Sequence, residues 1–410
     1  MSVSSAHGVR LSSTAVAVLA VAAGGAIAND YALQPSFATV ARDLGVSVPL
    51  VSVVSSAAMA GYLVGLAFLV PLADRLSARV LIPGQLTALA LALVLAAAAS
   101  NPALLIGSFV LVGATTTVAA QSSAVVGKYS DPGSRGRRMG VVSAGISAGI
   151  LLSRYVGGLL TSWIGWREAL LLFAGITMLT ALCTLPLLPT GHPGSHGGYL
   201  STLRSLPSLM HTFAHLRRST AAGMLWFFAF NVIWVGLAVR LAAPPYNLGA
   251  QTLGLYSLAG VLGLAVTRAA GRFTDRFGSR AVILTGLTAA VLAAIALTTA
   301  LSRPVWTAVA LAVFDAGCFA AQVANQAGIV AIDPARSGAL SATYQTLYYA
   351  AGAVGTAVTG AIAIEAGWAA VTLSAAGAVA IAALITAIGH RREASAGPAP
   401  TRPLGMEHRT

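Results

Sequence analysis

Long apolar stretches, each about the length of a membrane span, recur along the whole chain and are separated by short polar segments. A helix needs about 20 mostly apolar residues to cross the hydrocarbon core of a bilayer. Twelve stretches meet this requirement, and we number them spans 1 to 12 in chain order. They cover residues 12–34, 47–70, 79–99, 102–126, 137–160, 167–188, 219–243, 250–271, 280–300, 304–328, 338–363 and 367–389. The pattern predicts an all-α integral membrane protein with twelve transmembrane helices.

The spans form two groups of six, separated by a segment rich in Gly, His, Pro, Ser and Arg. We therefore predict an N-terminal six-helix half at 1–188, a cytoplasmic linker at 189–218, a C-terminal six-helix half at 219–390 and a cytoplasmic tail at 391–410. Apolar residues recur at helical spacing over 200–216, which favours an amphipathic helix lying on the membrane surface.

Composition and charge exclude two other classes of protein. The chain is 57% hydrophobic and 9% charged, whereas a soluble domain carries roughly a quarter charged residues. The net charge of +13 does not indicate nucleic-acid binding, because the basic residues lie in short segments between spans and not on one domain. With the N-terminus inside, 19 of the 24 Lys and Arg residues face the cytoplasm. We expect a multi-pass, monomeric protein of the inner (plasma) membrane with both termini cytoplasmic.

A short internal repeat links the two groups of spans. The loop after span 2 reads Asp74-Arg75 with Arg79 four residues later, and the loop after span 8 repeats this as Asp275-Arg276 with Arg280. The two loops are about half the chain apart and occupy the same place in each group. Parallel repeats of this kind build one class of transporters from two rocking halves.

These features resemble the major facilitator superfamily over nearly the whole chain. The loop after span 8 is close to that family's Gly-x-x-x-Asp-Arg-x-Gly-x-Arg signature, and the first copy has Ser77 where the signature has its second glycine. The resemblance implies two pseudo-symmetric halves. It also implies a cytoplasmic gate, formed here by Asp74, Arg75, Arg79, Gly271, Asp275, Arg276, Gly278 and Arg280. The alternative is that these charges only determine topology.

Span 5 carries small residues at intervals of four, which give a helix a flat face for close packing. The segment resembles the family's exporter signature, except that Ser153-Arg154 replaces its usual Gly-Pro. The resemblance implies that this face lies where the halves meet and serves as a packing or hinge surface; static packing is the alternative. The residues are Gly145, Gly149, Ser153, Gly157 and Gly158.

A narrower resemblance is to bacterial drug or sugar efflux permeases. It rests on Ala28-Asn29-x-Tyr31-x-x-Gln34-Pro35 in span 1, Gly61-Tyr62-x-x-Gly65 in span 2, and Asn325-Gln326 with Asp333-Pro334-x-Arg336 around span 10. This branch implies a small-molecule substrate and no cofactor.

Three ionisable residues lie inside spans: Asp30, Arg154 and Asp315. A charge inside a membrane costs about 2.5 to 3.5 kcal/mol on insertion scales, so each is a functional hypothesis. No histidine lies within a span, so proton coupling requires a carboxylate, and Asp30 and Asp315 are the candidates. We also hypothesise that Asp30 pairs with Arg154 and that protonation releases the pair. A fixed ion pair that orders the helices is the alternative.

Polar and aromatic side chains on spans 1, 5, 7 and 10 predict a substrate cavity. Asp315 shares one helical face with the amides seven, ten and eleven residues further on. Such a stripe favours a cavity, although hydrogen bonds that only hold the bundle together would give the same pattern. The candidate cavity residues are Asn29, Tyr31, Gln34, Arg154, Trp226, Asn231, Trp234, Gln322, Asn325 and Gln326.

The sequence therefore predicts a secondary active transporter, with proton-coupled efflux of a drug-like compound or metabolite as the leading interpretation. Uptake or facilitated diffusion of a sugar, amino acid or nucleoside is the alternative, and a non-transporting receptor is a remote one. There is no Gly-x-x-x-x-Gly-Lys-Ser/Thr loop for ATP and no catalytic or metal-binding constellation within the spans. We expect no enzymatic activity, no cofactor and no metal.

Overall fold

All regular secondary structure in the described part of the chain is helical. The computed structural model describes residues 11–70, 72, 76–130, 132–190, 208–333 and 336–395. The helices are α1 (Ser13–Ala28), α2 (Phe37–Leu44), α3 (Val48–Phe68), α4 (Ala78–Ala97), α5 (Pro102–Thr116), α6 (Val118–Lys128), α7 (Pro132–Ile164), α8 (Trp166–Thr184), α9 (Ala214–Ala242), α10 (Ala250–Phe277), α11 (Ser279–Ala300), α12 (Pro304–Ile332), α13 (Ser337–Glu365) and α14 (Gly367–Ser395).

Ten of the described helical stretches are long and apolar enough to cross a membrane, counting α5 and α6 as one. Of the two remaining predicted spans, α1 is apolar but has only 16 residues, and α10 is not among the ten. The all-helical membrane architecture is confirmed, whereas the count of twelve stays a prediction. Large apolar side chains such as Val21 and Trp163 are 64% and 69% exposed, as expected for helix faces covered by lipid.

Two predicted spans are not continuous helices. Span 1 ends its helix at Ala28, passes through turns at 29–33, and resumes as a short 3₁₀ helix (Gln34–Ser36) and α2. Span 4 breaks between α5 and α6 at Thr117. Both breaks lie inside predicted spans, 12–34 and 102–126, at points where local polar side chains compete for the backbone.

Helix packing repeats with a shift of six spans. In the first set (α1–α8), α1 packs on α7, α3 on α5, and α4 on α8; in the second set (α9–α14), α9 packs on α13, α10 on α12, and α11 on α14. Between the sets, α7 packs on α10 and α3 on α13. Residues 191–207 of the predicted linker, which include 200–207 of its amphipathic segment, and 396–410 of the predicted tail lie outside the described residues, so the proposed region boundaries stay a prediction.

The glycines of α7 let it pack backbone against backbone on α1 and the turn that follows α1. A Cβ added at any of three glycines would overlap a carbonyl oxygen of that neighbour, whereas real side chains need more than 3 Å. For these three glycines, the interpretation that this face lies where the halves meet is therefore wrong, because they pack against elements of the first set. The pairs are Gly145 with Ala20, Gly149 with Gly24, and Gly157 with Ala32.

A different face of α7 contacts the second set. Gly158 lies against the backbone oxygen of Ala250, and a Cβ at Gly254 would lie 2.7 Å from the backbone oxygen of Arg154. Ser153 takes no part in this contact through its hydroxyl, which donates to the oxygen of Ile150 at 3.1 Å. The interface between the two sets of helices thus lies directly beside Arg154.

An ion pair connects three loops at the predicted external end of the first set. Asp43 accepts hydrogen bonds from Arg167 and from the indole of Trp166, the latter at 3.2 Å. Arg167 also donates to the oxygen of Ala99 at 2.8 Å. The hydrogen bond from Arg167 lowers the pKa of the Asp43 carboxyl below its usual value.

We expect Gly149→Ala to destabilise the protein by about 1–3 kcal/mol, because the new methyl group would overlap the backbone of α1. Thermal unfolding in detergent measures the effect. Gly175→Ala is the control, since nothing lies within 4 Å of a Cβ at that position. Equal melting temperatures for both variants would contradict the packing described here.

We expect Asp43→Asn to lower thermal stability near pH 7, with a difference from wild type that narrows as the pH falls below about 4, toward the lowered pKa of the folded carboxyl. The reason is that a carboxyl whose pKa is lowered by folding adds stability above its ordinary pKa and loses it as it becomes protonated. The effect will be small because 44% of the Asp43 side chain is exposed. Melting curves of both proteins across this pH range test it, and a constant difference would be inconsistent with this role.

Candidate functional site

Arg154 lies at the centre of the protein, on α7, and its side chain is buried, with 2% exposed. Its Nε donates to Gln34 Oε1 at 2.8 Å, and one terminal nitrogen donates to the oxygen of Ile150 at 3.3 Å. The guanidinium carbon lies 4.6 Å from the ring centroids of both Tyr31 and Trp234. Two aromatic faces therefore stabilise the buried cation by cation–π attraction. The other terminal nitrogen, Nη2, has no hydrogen-bond partner among the described residues.

Asp315 on α12 is the corresponding buried anion, with none of its surface exposed. Its Oδ1 accepts a hydrogen bond from the indole nitrogen of Trp234 at 3.1 Å. Its Oδ2 has no partner among the described residues. Gly260 of α10 lies beside it, since a Cβ there would be 2.6 Å from Oδ2. Trp234 thus contacts both charges, with its ring face toward Arg154 and its N–H toward Asp315.

Asp30 lies in the turn that follows α1 and is buried, with 8% exposed. Its carboxylate accepts from the Thr116 hydroxyl, at 3.1 Å to one oxygen and 3.3 Å to the other. Asp30 and Arg154 are both described, and they form no ion pair in this structure. The pairing hypothesis is wrong for this conformation, because the guanidinium points to Gln34 and the aromatic rings instead.

Polar side chains account for the break in span 1 beside Asp30. The Asn29 amide donates to the oxygen of Gly25 at 2.9 Å and to that of Ala26 at 3.3 Å. Those carbonyls would otherwise be available to backbone amides one turn further along the helix. The break leaves Tyr31 and Gln34 on the short segment after Asp30, where both side chains contact the Arg154 guanidinium.

The break in span 4 lies directly opposite, at three consecutive threonines. The Gln85 amide donates to the backbone oxygen of Thr115 at 2.9 Å and to the Thr117 hydroxyl at 2.7 Å. The Thr116 hydroxyl lies within hydrogen-bond distance of both Asp30 and the oxygen of Gly113. A buried carboxylate therefore lies between two interrupted helices, an arrangement that transporters use for coupling ions.

The amides predicted to line the cavity mainly bond to neighbouring helices. Gln322 accepts from the Tyr344 hydroxyl at 2.5 Å, and Asn325 donates to the oxygen of Ser219 at 3.1 Å. Gln326 is half-buried. The structure thus separates this stripe into Asp315, which belongs to the central site, and amides that connect α12 to α13 and α9.

On α9, the three predicted cavity residues have different surroundings. Trp234 contacts both central charges, as described above, and Trp226 is buried nearer the predicted cytoplasmic end. Asn231 donates to the oxygen of Phe227 at 2.8 Å, and its own oxygen has no partner among the described residues.

A group of stacked aromatic rings next to the central site was not predicted. Tyr62 of α3 lies 4.3 Å from Tyr349 of α13, and Phe227 lies 4.0 Å from Tyr348, between ring centroids. The sequence signal was the set of tyrosines at 344, 348 and 349, which the helical spacing of span 11 places toward one side. These rings extend the apolar surroundings of the site across both sets of helices.

The predicted cytoplasmic gate is only partly described. Asp74, Arg75 and the Asp275 side chain lie outside the described residues. Gly278 has φ +83°, a conformation that other residues rarely adopt, which explains the second glycine of the signature.

The remaining described residues of the gate make mostly local contacts. Arg280 donates to the oxygen of Ala387 at 3.1 Å, the backbone amide of Arg79 donates to the oxygen of Pro189 at 3.4 Å, and Arg276 lies over the Phe277 ring. Gly271 has open space around its Cα. The role of this loop as a gate stays a prediction.

The predicted external end is closed between the two sets. The Ser56 and Thr356 hydroxyls share a hydrogen bond at 2.8 Å, and the backbone amide of Gln251 donates to the Ser162 hydroxyl at 3.1 Å. Both of these hydrogen bonds join the first set to the second at this end. The central charges are therefore closed off from the external side.

Sequence profiles and relatives agree with this architecture. The profile described as Major Facilitator Superfamily matches residues 19–356. The chain belongs to the major facilitator superfamily. It is 31% identical over 386 residues to the uncharacterized transporter YgaY of Escherichia coli O157:H7, covering 94% of this chain and 98% of that protein. The shared family makes this protein a multi-pass membrane transporter.

Solved structures of the superfamily show the same fold. A bacterial homolog of the human lysosomal transporter Spinster, in an inward-facing and unoccupied conformation, superposes with a TM-score of 0.72 at 16% identity, covering 95% of this chain and 99% of that one. The nucleoside transporter NupG superposes with a TM-score of 0.71 at 16% identity, covering 91% and 99%.

We expect a Ser56→Cys/Thr356→Cys double variant, in a background without Cys183 and Cys318, to form a disulfide under mild oxidation. The two hydroxyl oxygens are 2.8 Å apart, so the Cβ atoms lie within reach of a disulfide. Cleavage at a protease site inserted in the predicted linker, followed by gel electrophoresis, measures the linked fraction. Ser56→Cys with Val354→Cys is the control, since Val354 is 55% exposed on the same helix. Equal linkage in both variants would contradict the closed external end.

Proposed function

We propose that this transporter exports a small molecule in exchange for protons, by alternating access, across the inner (plasma) membrane, with both termini in the cytoplasm. The observation that carries the proposal is the segment 29–36. It places the buried Asp30 carboxylate against α5 and, within one turn, places Tyr31 and Gln34 against Arg154. A change at the carboxylate can therefore reach the central site through a single short stretch of chain.

Asp30 is suited to carry the proton because of how it is buried. Its described polar contact is one hydroxyl, and no cation pairs with it in this conformation. A buried carboxylate without a paired cation costs several kcal/mol less to keep when it is neutral. Exposure to water on either side removes that difference, so opening and closing of the site can drive protonation and release. Asp315 is less suited, because the nearby Arg154 cation stabilises its charged form electrostatically, whereas no cation among the described residues does so for Asp30.

Alternating access is supported by where the sets meet. The contacts of α7 with α10 and of α3 with α13 comprise small-residue packing, the Tyr62–Tyr349 ring pair and hydrogen bonds at the predicted external end. Contacts of this kind separate without exposing a large apolar core. Opening there and closing at the predicted cytoplasmic gate would present the central site to the other side.

We expect Asp30→Asn to reduce substrate-driven proton movement at least about tenfold, because the amide cannot exchange a proton. The assay is dissipation of a proton gradient in inside-out vesicles, screened with cationic, neutral, anionic and zwitterionic compounds. Asp43→Asn is the matched control, since Asp43 is exposed at the predicted external surface and should leave proton movement unchanged.

Full proton-coupled transport by Asp30→Asn would sink the assignment of Asp30. Substrate movement without any proton movement would favour the alternative of facilitated diffusion or uptake. In that case Arg154, the buried cation that could bind an anionic group, would be the residue to test next.

A further inference from the structure

The central site contains two buried charged groups that are each incompletely bonded. Arg154 Nη2 and Asp315 Oδ2 have no hydrogen-bond partner among the described residues, and both residues are almost fully buried. Leaving either atom unbonded costs free energy, more for a charged group than for a neutral one. The central site thus holds two opposite charges, Arg154 and Asp315, and each has one atom without a hydrogen bond to the described residues.

The two groups do not satisfy each other. They come from opposite sets of helices, and the Trp234 side chain contacts both. A direct ion pair would place a nitrogen within 4 Å of an oxygen, and no such pair is present between them. Because the Trp234 indole keeps the two opposite charges apart, the open bonding positions of Arg154 and Asp315 remain available to a third group.

The surroundings indicate what that partner looks like. The Tyr31 and Trp234 rings lie against the guanidinium, and the Phe230 centroid is 5.8 Å from it. Next to the carboxylate, α10 carries Gly260, whose lack of a side chain lets α10 pack directly against Oδ2; a Cβ there would be 2.6 Å from this oxygen. The partner is therefore bonded through two opposite charges and contacted by aromatic rings.

From this arrangement we infer that the transported substrate is a small zwitterion with an apolar body, whose anionic group binds Arg154 and whose cationic group binds Asp315. This inference rests on the proposed transport function and adds the substrate class. The substrate joins the first set to the second by bonding a charge on each. Bound zwitterion thereby adds a charged connection between the sets to the ring and backbone contacts already present at this level.

The test uses three ligands that share one aromatic body. Phenylalanine is the zwitterion, phenethylamine lacks its carboxylate, and hydrocinnamate lacks its amine. Tryptophan and leucine extend the zwitterions to larger and non-aromatic bodies. Apparent affinities come from the rise in melting temperature of the purified protein over a concentration series at neutral pH. This binding assay needs no proton gradient and no transport.

We expect wild type to bind at least one zwitterion, and to bind phenylalanine at least about tenfold more tightly than either single-charge analogue. In Arg154→Gln, phenylalanine and phenethylamine should bind equally, because the carboxylate has lost its partner. In Asp315→Asn, phenylalanine and hydrocinnamate should bind equally. The wild-type comparison stands by itself if a variant fails to fold.

A glycine pair tests the position of the cationic group. Gly260→Ala should weaken zwitterion binding at least about tenfold, because its methyl group would overlap Asp315 Oδ2 and displace the carboxylate. Gly175→Ala, whose Cβ meets nothing within 4 Å, should bind as wild type does.

Two results would overturn the inference: no binding by any of the three zwitterions, or a single-charge analogue that binds wild type as tightly as phenylalanine. Failure of the proposed function looks different. Zwitterions that bind without moving protons in vesicles would refute proton-coupled export and leave the substrate class standing. Proton movement driven only by compounds with a single charge would do the reverse.

Discussion

The burial of the Arg154 guanidinium is the constraint on which the rest of the site depends. A charged arginine at this depth is costly, and here no carboxylate pairs with it directly. The protein offsets the cost with one amide, one backbone carbonyl and two aromatic faces. Three of these four partners come from outside α7, so the position of the cation reports on the arrangement of α1, α2 and α9 relative to it. Any movement of these elements changes how well the charge is stabilised.

The two broken spans relate the buried Arg154 guanidinium to the proposed proton coupling. Because α1 ends at Ala28, the chain can turn and place Asp30 toward the threonines of span 4 while Tyr31 and Gln34 face Arg154. A continuous helix would direct residues 30, 31 and 34 by its fixed periodicity instead. The turn therefore lets one short segment contact both the proposed proton site, Asp30, and the Arg154 guanidinium, although the two groups themselves do not pair.

The features of the fold and the site that could be predicted from the sequence are those that depend on short stretches of the chain. Span length, the repeated Asp-Arg loops and the cost of intramembrane charges depend on short stretches, and they predicted the family, the helical membrane fold and the three central ionisable residues. The partners of those residues depend on packing between distant helices, so the pairing of Asp30 with Arg154 was wrong for this conformation. The glycines of span 5 could equally face either neighbour, and only the structure shows them against α1. The helix breaks in spans 1 and 4 were not predicted, because the residues around them are apolar enough to read as continuous spans.

The backbone contact between α1 and α7 has a mechanical consequence. Helices that touch through glycines, with no side chains between them, have little room to slide or tilt, so we expect α1 and α7 to move as one rigid unit. Gly24 and Gly149 form one of the backbone contacts that hold the two helices together. Under the proposed function, the distance between Asp30 and Arg154 would stay nearly constant during transport, whereas the distance between Arg154 and Asp315, which belong to opposite sets of helices, would change. Protonation would then act at the end of α1, and substrate binding would act across the interface between the sets.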